Sequence, residues 1–423
     1  MPATDPARVT CPPTTARLGD VTDGPMPWDE ARAAAYAAGL AAAARAVEVP
    51  LAAADGCTLA EPLLARTDLP AFPTSSVDGW AVRGPGPWRV VGRVLAGSAA
   101  PALTEDGSAM EIATGAMVPA GTETIVRVED ATRDADGRVS GSARAPREWR
   151  DPGEEATRGE ELLPAGTAVT PGVIGLAASC GYDTLVVRPR PVAALTVFGD
   201  ELLTSGLPGG GRVRDALGPQ LPAWLARFGA RVPDEAIVGP VEDTLEAHLL
   251  AIRSALAGGA DLVCTTGGTM RGPVDHLHPA LRELGAEYVV NAVRVRPGYP
   301  MLLARFPSGQ FLAGLPGNPQ SAVVALVSLV APLLAGLRGR PLPALETVTL
   351  AAPVRGRGGD THLALVRLDP ADGLAHPVTH VGSAMLRGLA ASDGFAVVAP
   401  GTAAAAGDQV PFVPLPLAKG ERC

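Results

Sequence analysis

Between residues 189 and about 340 the chain alternates short apolar segments with helix-like ones, and this alternation limits the possible folds more than any other feature. RPVAALTVFG, ADLVCTTGG and GQFLAGLPG read as strands, whereas GPQLPAWLARFGA, PALRELGAE and the apolar run 322–337 read as helices. Such alternation predicts a parallel sheet with helices on both faces. Ligands of these sheets bind at the carboxyl ends of the strands. We therefore predict an α/β domain with its site at that edge.

Two glycine-rich loops follow strands of this predicted sheet. The first, CTTGGTMRGPVD, begins at Cys264, and the second, LPGNPQSAV, begins at Leu315. Glycines let the backbone approach a ligand closely, with amides directed at an anion. In the second loop Asn318 suits a helix cap and Pro319 the first turn, and the exposed amides of a helix start bind anions. Either loop alone is more often a plain turn, but two at one sheet edge indicate a phosphate-bearing ligand.

Charged side chains recur near turns and loops. The segment RVRPGYP (294–300) carries two arginines, a residue type suited to bidentate recognition of oxyanions. Mg²⁺ takes one or two carboxylates together with phosphate oxygens. The histidines of Asp275-His276-Leu277-His278 are not predicted to bind a transition metal, because residues two apart on a helix face different ways. The carboxylates at turns, each of which alone is more often a cap or a solvated residue, are Asp78, Glu154, Glu155, Asp200, Glu201 and Asp275.

The segments on either side of the α/β region predict further domains. PWDEARAAAYAAGLAAAARAVEV reads as a helix that begins at Pro27, and residues 158–188 look helical and are expected to pack with it. The short β-branched runs WRVVGRV, AMEIATG and TIVRVED read as strands of a small inserted β domain, and the strands after about 345 fit a small β barrel. The predicted order is a flexible tail at 1–24, a discontinuous helical domain at 25–65 and 150–188, the β domain at 66–149, the α/β domain at 189–342 and the barrel at 343–423.

Charge and cysteine content exclude several classes of protein. A net charge of -9 opposes non-specific nucleic-acid binding, which needs a basic field, but permits a small anion on local arginines. Five scattered cysteines without paired spacing indicate free thiols in a reducing cytoplasm. The first residues show no signal pattern. The run 322–337 falls short of the ~20 residues that a membrane span needs, and Pro332 interrupts it. We expect a buried helix and no membrane partner.

Taken together, these stretches resemble the molybdopterin molybdenumtransferase family, which catalyses the last step of molybdenum-cofactor synthesis and includes the E domain of gephyrin. The resemblance implies a four-domain layout like the one above and an elongated homodimer, with each active site between the α/β domain of one subunit and the β domain of the other. It also implies a reaction of adenylylated molybdopterin with molybdate, dependent on Mg²⁺, that releases AMP. It covers about residues 26–418 through eight motifs in order: LPAFPTSSVDGWAV, IATGAMVPAGTETIVRVED, PGEEATRGEELLPAGT, FGDEL, TTGGTMRGPVD, RPGYP, GLPGNPQSA and GSAMLRGLAASDG.

The resemblance also implies which residues act. Such a reaction needs anion cradles, a cation that offsets phosphate charge, and positioning of the reactants. Asp275 and Glu201 are the implied Mg²⁺ ligands, and Ser383 matches a serine that the family uses near molybdate. The implied catalytic residues are Asp78, Thr114, Glu155, Glu201 and Asp275. The implied substrate-binding residues are Thr266, Gly267, Gly268, Arg296, Pro297, Gly298, Pro316, Gly317, Asn318, Pro319 and Ser383.

The chain departs from the family pattern chiefly in its basic residues. The family commonly has lysines where this chain has Ala292, Arg296 and Tyr299, so only Arg296 keeps the charge. Three interpretations stay open: an active transferase, a carrier that binds molybdopterin or the finished cofactor, and a scaffold like the gephyrin E domain. The missing lysines favour the carrier, the retained acidic residues favour the transferase, and no segment indicates a scaffold. The other departures are Glu155 in place of Asp, Asp215-Ala216-Leu217 in place of Asp-Ser-Asn, and Arg355, Arg357 and His362 near the aligned position of a family arginine.

Overall fold

The structure is a computed structural model that describes residues 25–144, 147–270 and 275–416. The predicted tail at 1–24 therefore lies outside the described residues. The described chain divides into two compact units. The larger unit contains the residues up to Val47, the segment Gly56–Thr58 and the chain from Arg188 onward. The smaller unit contains Glu48–Asp55 and Leu59–Val187.

The described ranges contain eight α-helices and 28 β-strands. The helices are α1 (Trp28–Ala41), α2 (Pro171–Ser179), α3 (Leu217–Arg227), α4 (Leu245–Ala257), α5 (Leu277–Glu283), α6 (Pro319–Ala325), α7 (Ala331–Leu337) and α8 (Leu386–Ala390). The earlier strands are β1 (Met26–Pro27), β2 (Val47–Pro50), β3 (Thr58–Leu59), β4 (Leu63–Leu64), β5 (Thr74–Ser75), β6 (Gly79–Arg83), β7 (Arg89–Val94), β8 (Ser108–Ile112), β9 (Thr124–Arg127), β10 (Ala131–Arg133), β11 (Val139–Gly141), β12 (Trp149–Arg150), β13 (Glu161–Leu163) and β14 (Thr184–Arg188). The later strands are β15 (Ala193–Phe198), β16 (Leu202–Leu203), β17 (Val213–Arg214), β18 (Ile237–Val241), β19 (Leu262–Thr266), β20 (Glu287–Asn291), β21 (Val293–Arg296), β22 (Leu302–Arg305), β23 (Phe311–Leu315), β24 (Glu346–Thr349), β25 (Thr361–Leu368), β26 (Ala375–Pro377), β27 (Gly394–Val398) and β28 (Gln409–Pro414).

The central sheet of the larger unit has six strands in the order β18-β15-β19-β23-β22-β20. The first four run parallel, whereas β22 pairs antiparallel with β23, and β20 pairs antiparallel with β22. The prediction of a parallel sheet is therefore confirmed for four strands and wrong for the two antiparallel pairings at the β20 end, where β22 runs against the other strands. Buried strands of either direction have similar apolar patterns, so periodicity does not distinguish them. The parallel part is sufficient to bring four strand ends to one edge.

A long apolar helix forms the centre of the larger unit's core. Residues Pro319–Leu337 make one helical run of 19 residues, built from α6, a π-helical turn at Leu326–Val330, and α7. The prediction that Pro332 interrupts the helix is wrong, because Pro332 lies in the first turn of α7, directly after the π-turn. Its length and mean hydropathy of 2.0 would suit a membrane span, but 89% of the apolar window is buried inside the protein, as in a core helix.

Helix α1 packs closely on α7. A Cβ added at Gly39 would lie 2.3 Å from the carbonyl oxygen of Leu333, so the glycine lets the two backbones approach. The indole Nε1 of Trp28 donates a hydrogen bond of 2.9 Å to the Ser328 hydroxyl, and both side chains are buried. The first helix is therefore a part of the larger unit's core.

A second sheet of the larger unit follows the path β1-β21-β25-β27-β28-β24, with β26 paired to β25. Five of its strands come from the predicted C-terminal β region, while β1 and β21 come from earlier in the chain. Strands β21 and β25 pair in parallel, with Arg296 opposite His362. The path has two ends, so closure into a barrel stays a prediction.

The smaller unit is mostly β structure. The strands predicted at WRVVGRV, AMEIATG and TIVRVED are confirmed as β7, β8 and β9, which form a sheet in the order β7-β8-β6-β9. The predicted helix at 158–188 is helical only over α2, which Thr170 caps by accepting a bond from the Val173 amide. The rest of that segment contributes β13 and β14. Helices α1 and α2 belong to different units, so the expected packing of this segment with α1 stays a prediction.

Candidate functional site

Four neighbouring strand ends define one edge of the central sheet. Strands β18, β15, β19 and β23 are parallel neighbours, so the loops that follow them emerge together. Those loops begin with Glu242-Asp243, Gly199-Asp200-Glu201, Gly267-Gly268 and Pro316-Gly317-Asn318. The predicted location of the site is consistent with this arrangement.

Carboxylates meet where β18 and β15 end. The amide of Asp200 donates to Oδ2 of Asp243 (3.4 Å), and the amide of Asp243 donates to Oδ1 of Asp200 (3.3 Å). Burial, together with the negative charges of Asp200 and Asp275, raises the pKa of Asp243, although the nearby His276 opposes the shift. We call Asp200, Asp243 and Asp275 the acidic edge.

Asp243 is a site residue that the sequence reasoning missed. The strand before it, IVGPV, contains Gly239 and Pro240, which weaken a strand pattern. A recognisable signal was its position directly after a βα-type strand and two residues before the helix α4. Asp243 thus adds to the acidic edge a carboxylate close enough to sense the charge of Asp275, and the sequence analysis did not name it.

The predicted Mg²⁺ ligands are only partly brought together. The charge of Asp275 acts on Asp243, whereas Glu201 lies exposed on the turn after β15. In the described ranges no three acidic, histidine or cysteine side chains lie close enough to form a complete metal site. The crowded carboxylates nevertheless fit Mg²⁺, which needs only one or two of them when phosphate oxygens and water complete its shell.

The glycine loop after β19 requires its glycines. Gly267 and Gly268 both have positive φ, at +81° and +64°, a conformation that L side chains rarely adopt. The Gly267 amide donates to the Leu315 carbonyl (2.9 Å), which ties this loop to the end of β23. A Cβ on Gly317 would lie 3.8 Å from the Cα of Gly267. The two glycine-rich loops therefore adjoin, as expected, but the Gly267 amide is already bonded within the protein.

The start of α6 does not present the free amides that we predicted. The amides of Gln320 and Ser321 both donate to the Ser383 carbonyl, at 2.9 and 3.3 Å. Asn318 occupies the cap position, but its side chain makes no capping bond, and Pro319 stands at the first turn as predicted. Anion recognition here must rely on side chains. The amides of Gln320 and Ser321 are already bonded to the carbonyl of Ser383, which lies 62 residues after Ser321 in the chain.

A cavity of about 530 Å³ opens beside this helix start, between β21, β25 and the loop that carries Ser383. We call it the basic cavity. The Nε of Arg296 donates to Asp360 (2.7 Å), and its guanidinium stacks on Tyr299, 5.1 Å from the ring centre. The positive charge at this position is thus already paired. Five predicted substrate-binding residues line the cavity: Arg296, Pro297, Gly298, Asn318 and Ser383.

Further basic groups of the cavity come from the segment before β25. Arg355 and Arg357 line it and are exposed, and His362 lines it from β25. His362 Nδ1 bonds the Arg355 carbonyl oxygen (2.8 Å), which requires a proton on Nδ1 and leaves Nε2 as an acceptor. Burial and the charge of Arg357 lower the pKa of His362 from 6.5. The histidine is therefore neutral at pH 7.

The remaining predicted residues occupy other surroundings. In the smaller unit, Asp78 Oδ1 accepts a hydrogen bond of 2.9 Å from the Thr114 amide, so these two predicted residues are brought together. Glu155 lies in the same unit, its amide bonded to the Leu69 carbonyl. In the larger unit, Thr266 and Pro316 are buried at strand ends. The placement of these residues relative to a substrate stays a prediction.

A buried histidine lies beneath the glycine loop. His248 Nδ1 bonds the Thr244 carbonyl oxygen (2.8 Å), and its buried Nε2 has no hydrogen-bond partner among the described residues. Its ring stacks on Phe198, with 3.6 Å between ring centres, and burial lowers its pKa. A Cβ on Gly268 would lie 3.7 Å from Nε2. His248 thus packs the loop from below as a neutral ring.

One departure from the family pattern has a structural explanation. Asp215 Oδ1 accepts from the amides of Leu217 and Gly218, at 2.9 and 3.0 Å, and so caps α3. Ala216 and Leu217 provide no polar side chain to this turn. Leu217 is instead buried in the core.

Comparisons with known proteins agree with this layout. Family models match residues 26–181 (MoeA N-terminal region, domains I and II), 194–336 (probable molybdopterin binding domain) and 347–415 (MoeA C-terminal region, domain IV). A solved structure of a molybdopterin biosynthesis MoeA protein from Pyrococcus horikoshii has a TM-score of 0.72 at 24% identity, covering 93% of this chain and 99% of that one. This likeness supports the fold.

Curated relatives carry one name. A molybdopterin molybdenumtransferase of Synechococcus elongatus is 32% identical over 368 residues, which cover 84% of this chain and 90% of the relative. One from Staphylococcus aureus is 30% identical, covering 66% of this chain and 69% of the relative. Taken with the three family models, these matches establish that the chain belongs to the molybdopterin molybdenumtransferase family.

Proposed function

We propose that this protein inserts molybdate into adenylylated molybdopterin and releases AMP, with Mg²⁺ as cofactor. The observation that carries the proposal is the meeting of two glycine-rich loops, with a carboxylate cluster at the neighbouring strand ends and a basic cavity beside the α6 start. A substrate with a pyrophosphate and a separate oxyanion needs these two kinds of surroundings. The family membership of the chain supports the same reaction.

The acidic edge suits the pyrophosphate part of the substrate when a cation is present. Asp243 and Asp275 are the residues that would hold Mg²⁺. Burial, and to a smaller extent the charges of Asp200 and Asp275, raise the pKa of Asp243, and a cation would relieve that repulsion. Bound Mg²⁺ would neutralise phosphate charge and polarise the pyrophosphate link. The glycines at 267 and 268 leave room for the substrate to approach the backbone. In this proposal these residues bind and orient the substrate, and the bound cation offsets the charge of its phosphates.

The basic cavity suits molybdate. Arg355 and Arg357 face it with no carboxylate partner among the described residues, so they are available for an oxyanion. The Arg296 Nε is bonded to Asp360, but its terminal nitrogens keep donor capacity. His362 is neutral at pH 7 and therefore adds no positive charge to the cavity at that pH.

The decisive experiment is AMP release from adenylylated molybdopterin by the purified full chain, with Mg²⁺ and a molybdate series. We expect AMP release that saturates with molybdate and stops when Mg²⁺ is chelated. Tight nucleotide binding without AMP above background would contradict the transferase. A matched reaction with Asp275→Asn protein separates enzymatic release from slow hydrolysis in solution.

A carrier is the second candidate function, and one observation favours it. Arg296, the single basic residue retained at the three aligned lysine positions, is paired with Asp360 and stacked on Tyr299. Such a site could hold molybdopterin while binding molybdate weakly. Retention of bound molybdopterin through gel filtration, with no molybdate-dependent AMP, would establish the carrier.

The remaining parts of the proposal concern the assembly. We infer a cytoplasmic homodimer in which Asp78, Thr114 and Glu155 of the smaller unit complete the site, and a four-domain division that includes the helical domain and a closed C-terminal barrel. Family membership supports these points. Light scattering after gel filtration tests the dimer, and mixing Asp78→Asn with Asp275→Asn protein tests the shared site. Recovery of activity in the mixture is expected if one subunit supplies each residue.

A further inference from the structure

Four arginines converge in the larger unit, away from the proposed site. Two come from the segment Arg188-Pro189-Arg190-Pro191, which begins at the last residue of β14, and two from Arg338-Gly339-Arg340-Pro341, which follows α7. Arg338 is buried, at 7% exposed, and the other three are half-buried. We call these four residues the arginine cluster.

Arg338 is incompletely satisfied. One terminal nitrogen, Nη2, donates to the Gly56 carbonyl (2.8 Å), while the buried Nε has no hydrogen-bond partner in the described part of the chain. Leaving a buried charged donor unpaired is costly. The guanidinium lies against Gly229, where an added Cβ would sit 1.9 Å from Nη1.

The neighbouring arginines approach the same segments. Arg190 donates to the Ala230 carbonyl and lies against Gly56, where its Cδ would be 3.0 Å from an added Cβ. Arg188 reaches Gly339, with Nη1 2.9 Å from the position of an added Cβ. Glycines at 56 and 339 therefore leave the room that these long side chains occupy.

The cluster lacks a counter-charge. Among the residues that the structure describes, none of the four arginines forms a salt bridge, although the chain as a whole carries -9. Burial, then the charges of Arg340 and Arg190, lower the pKa of Arg338 to about 10. Carbonyl contacts alone would explain one buried arginine as a structural clamp. They do not explain four positive charges placed together without a carboxylate.

We propose that the arginine cluster binds a small tetrahedral oxyanion of the phosphate class. Such an anion would pair with the unsatisfied Nε of Arg338 and with the terminal nitrogens of Arg188 or Arg340, and would offset the shared positive charge. The source is either free inorganic phosphate or the phosphate of a nucleotide such as AMP. This site is distinct from the basic cavity and does not depend on the proposed transferase activity.

The test is a titration of the full chain with inorganic phosphate, followed by the arginine Nε–H resonances in nitrogen-15 NMR. Chloride at matched ionic strength serves as the control for screening. We expect a saturable shift of one resonance that is absent in Arg338→Lys, a substitution that keeps the charge but removes Nε. In Arg340→Gln, chosen in case Arg338→Lys does not fold, half-saturation should need about tenfold more phosphate. A parallel AMP titration shows which source binds more tightly.

Two further variants test whether phosphate binds at the arginine cluster and not elsewhere in the larger unit. Arg355→Gln with Arg357→Gln removes anion binding in the basic cavity and should leave the shift unchanged, and Arg305→Gln alters an exposed arginine of the same unit and should also have no effect. The proposal is overturned if chloride reproduces the shift, if the cavity variant abolishes it, or if Arg340→Gln and Arg305→Gln titrate like the wild-type protein.

Discussion

The acidic edge and the basic cavity, which adjoin the ends of neighbouring strands, manage charge in opposite ways. At the acidic edge, Asp200 and Asp243 bond each other's amides, and their negative charges add to that of Asp275, which raises the pKa of Asp243. In the cavity, Arg296 is already neutralised by Asp360. In the proposed reaction the acidic edge would therefore need an added cation, whereas an anion entering the cavity would compete with the Asp360 carboxylate for Arg296.

The largest effect should come from the acidic edge. Asp243→Asn is expected to lower AMP release by about a hundredfold or more, because in the proposed function it removes a charge that would hold Mg²⁺ against the pyrophosphate. Activity across a Mg²⁺ series is the measurement. Asp234→Asn, an exposed carboxylate in the same unit, is the matched control and should retain activity.

The same substitution makes a second, opposite prediction for stability. A pKa raised in the folded state means that ionised Asp243 opposes folding, so stability is lost as pH rises through that pKa. Asp243→Asn should therefore be at least as stable as wild type at pH 7 without Mg²⁺, and this advantage should disappear below pH 3.8. An unstable variant at pH 7 would mean that Asp243 has a structural role and that the acidic edge is not electrostatically crowded.

In the cavity, paired removal of Arg355 and Arg357 should raise the half-saturating molybdate concentration about tenfold, since both arginines are exposed and partly screened. The maximal rate at saturating molybdate should change little. Arg294→Gln, an exposed arginine of β21 outside the cavity, is the control. Equal molybdate dependence in wild type, the double variant and Arg294→Gln would contradict the proposal that the cavity binds the oxyanion.

Removing the charge of Asp360, the carboxylate that pairs with Arg296, should lower the half-saturating molybdate concentration. Asp360→Asn frees the Arg296 Nε and removes a negative charge from the anion's surroundings, so half-saturation should require about threefold less molybdate. Asp136→Asn, on an exposed turn of the smaller unit, is the control. If Asp360→Asn weakens molybdate instead, then Asp360 holds Arg296 in its binding geometry.

The smallest effect concerns pH. Because burial and Arg357 lower the pKa of His362, the ring gains its proton only below 6.5, and this charge then favours an anion. Molybdate half-saturation should fall about twofold between pH 7 and pH 5.5 in wild type, once corrected for protonation of molybdate itself. His362→Gln should lose this change and otherwise behave like wild type near pH 7.

The extent to which the sequence predicts this molecule differs between its fold and its candidate site. The alternation of apolar strands and helices was sufficient for the parallel core and for the edge at which β19 and β23 end, because period and position reflect burial directly. No period or position in the sequence indicates that β20 and β22 are attached by antiparallel pairing. The helical prediction for 158–188 failed outside α2, where β13 and β14 pair with distant segments and tertiary contacts override local propensity.

Within the site, side-chain identity was more predictable than hydrogen bonding. Gly267 and Gly268 stand where positive φ is needed, and Arg296 lines the basic cavity, while its role in binding substrate stays a prediction. The loss of the Gln320 and Ser321 amides to the Ser383 carbonyl could not be read locally, because the acceptor lies some sixty residues away. Asp243 escaped notice because the strand before it contains Gly239 and Pro240.

The contact between α1 and α7 has a consequence for how the chain is made. Trp28 finds its hydrogen-bond partner, Ser328, 300 positions later. At ribosomal rates of about 5–20 residues per second, the first described helix therefore waits roughly 15–60 seconds after synthesis before Ser328, the partner of its buried indole, and the helix α7 on which it packs have been made. Among the described helices, the first to leave the ribosome is thus fully covered only after most of the chain has emerged. During that interval an alanine-rich surface is open to chaperones and to other nascent copies.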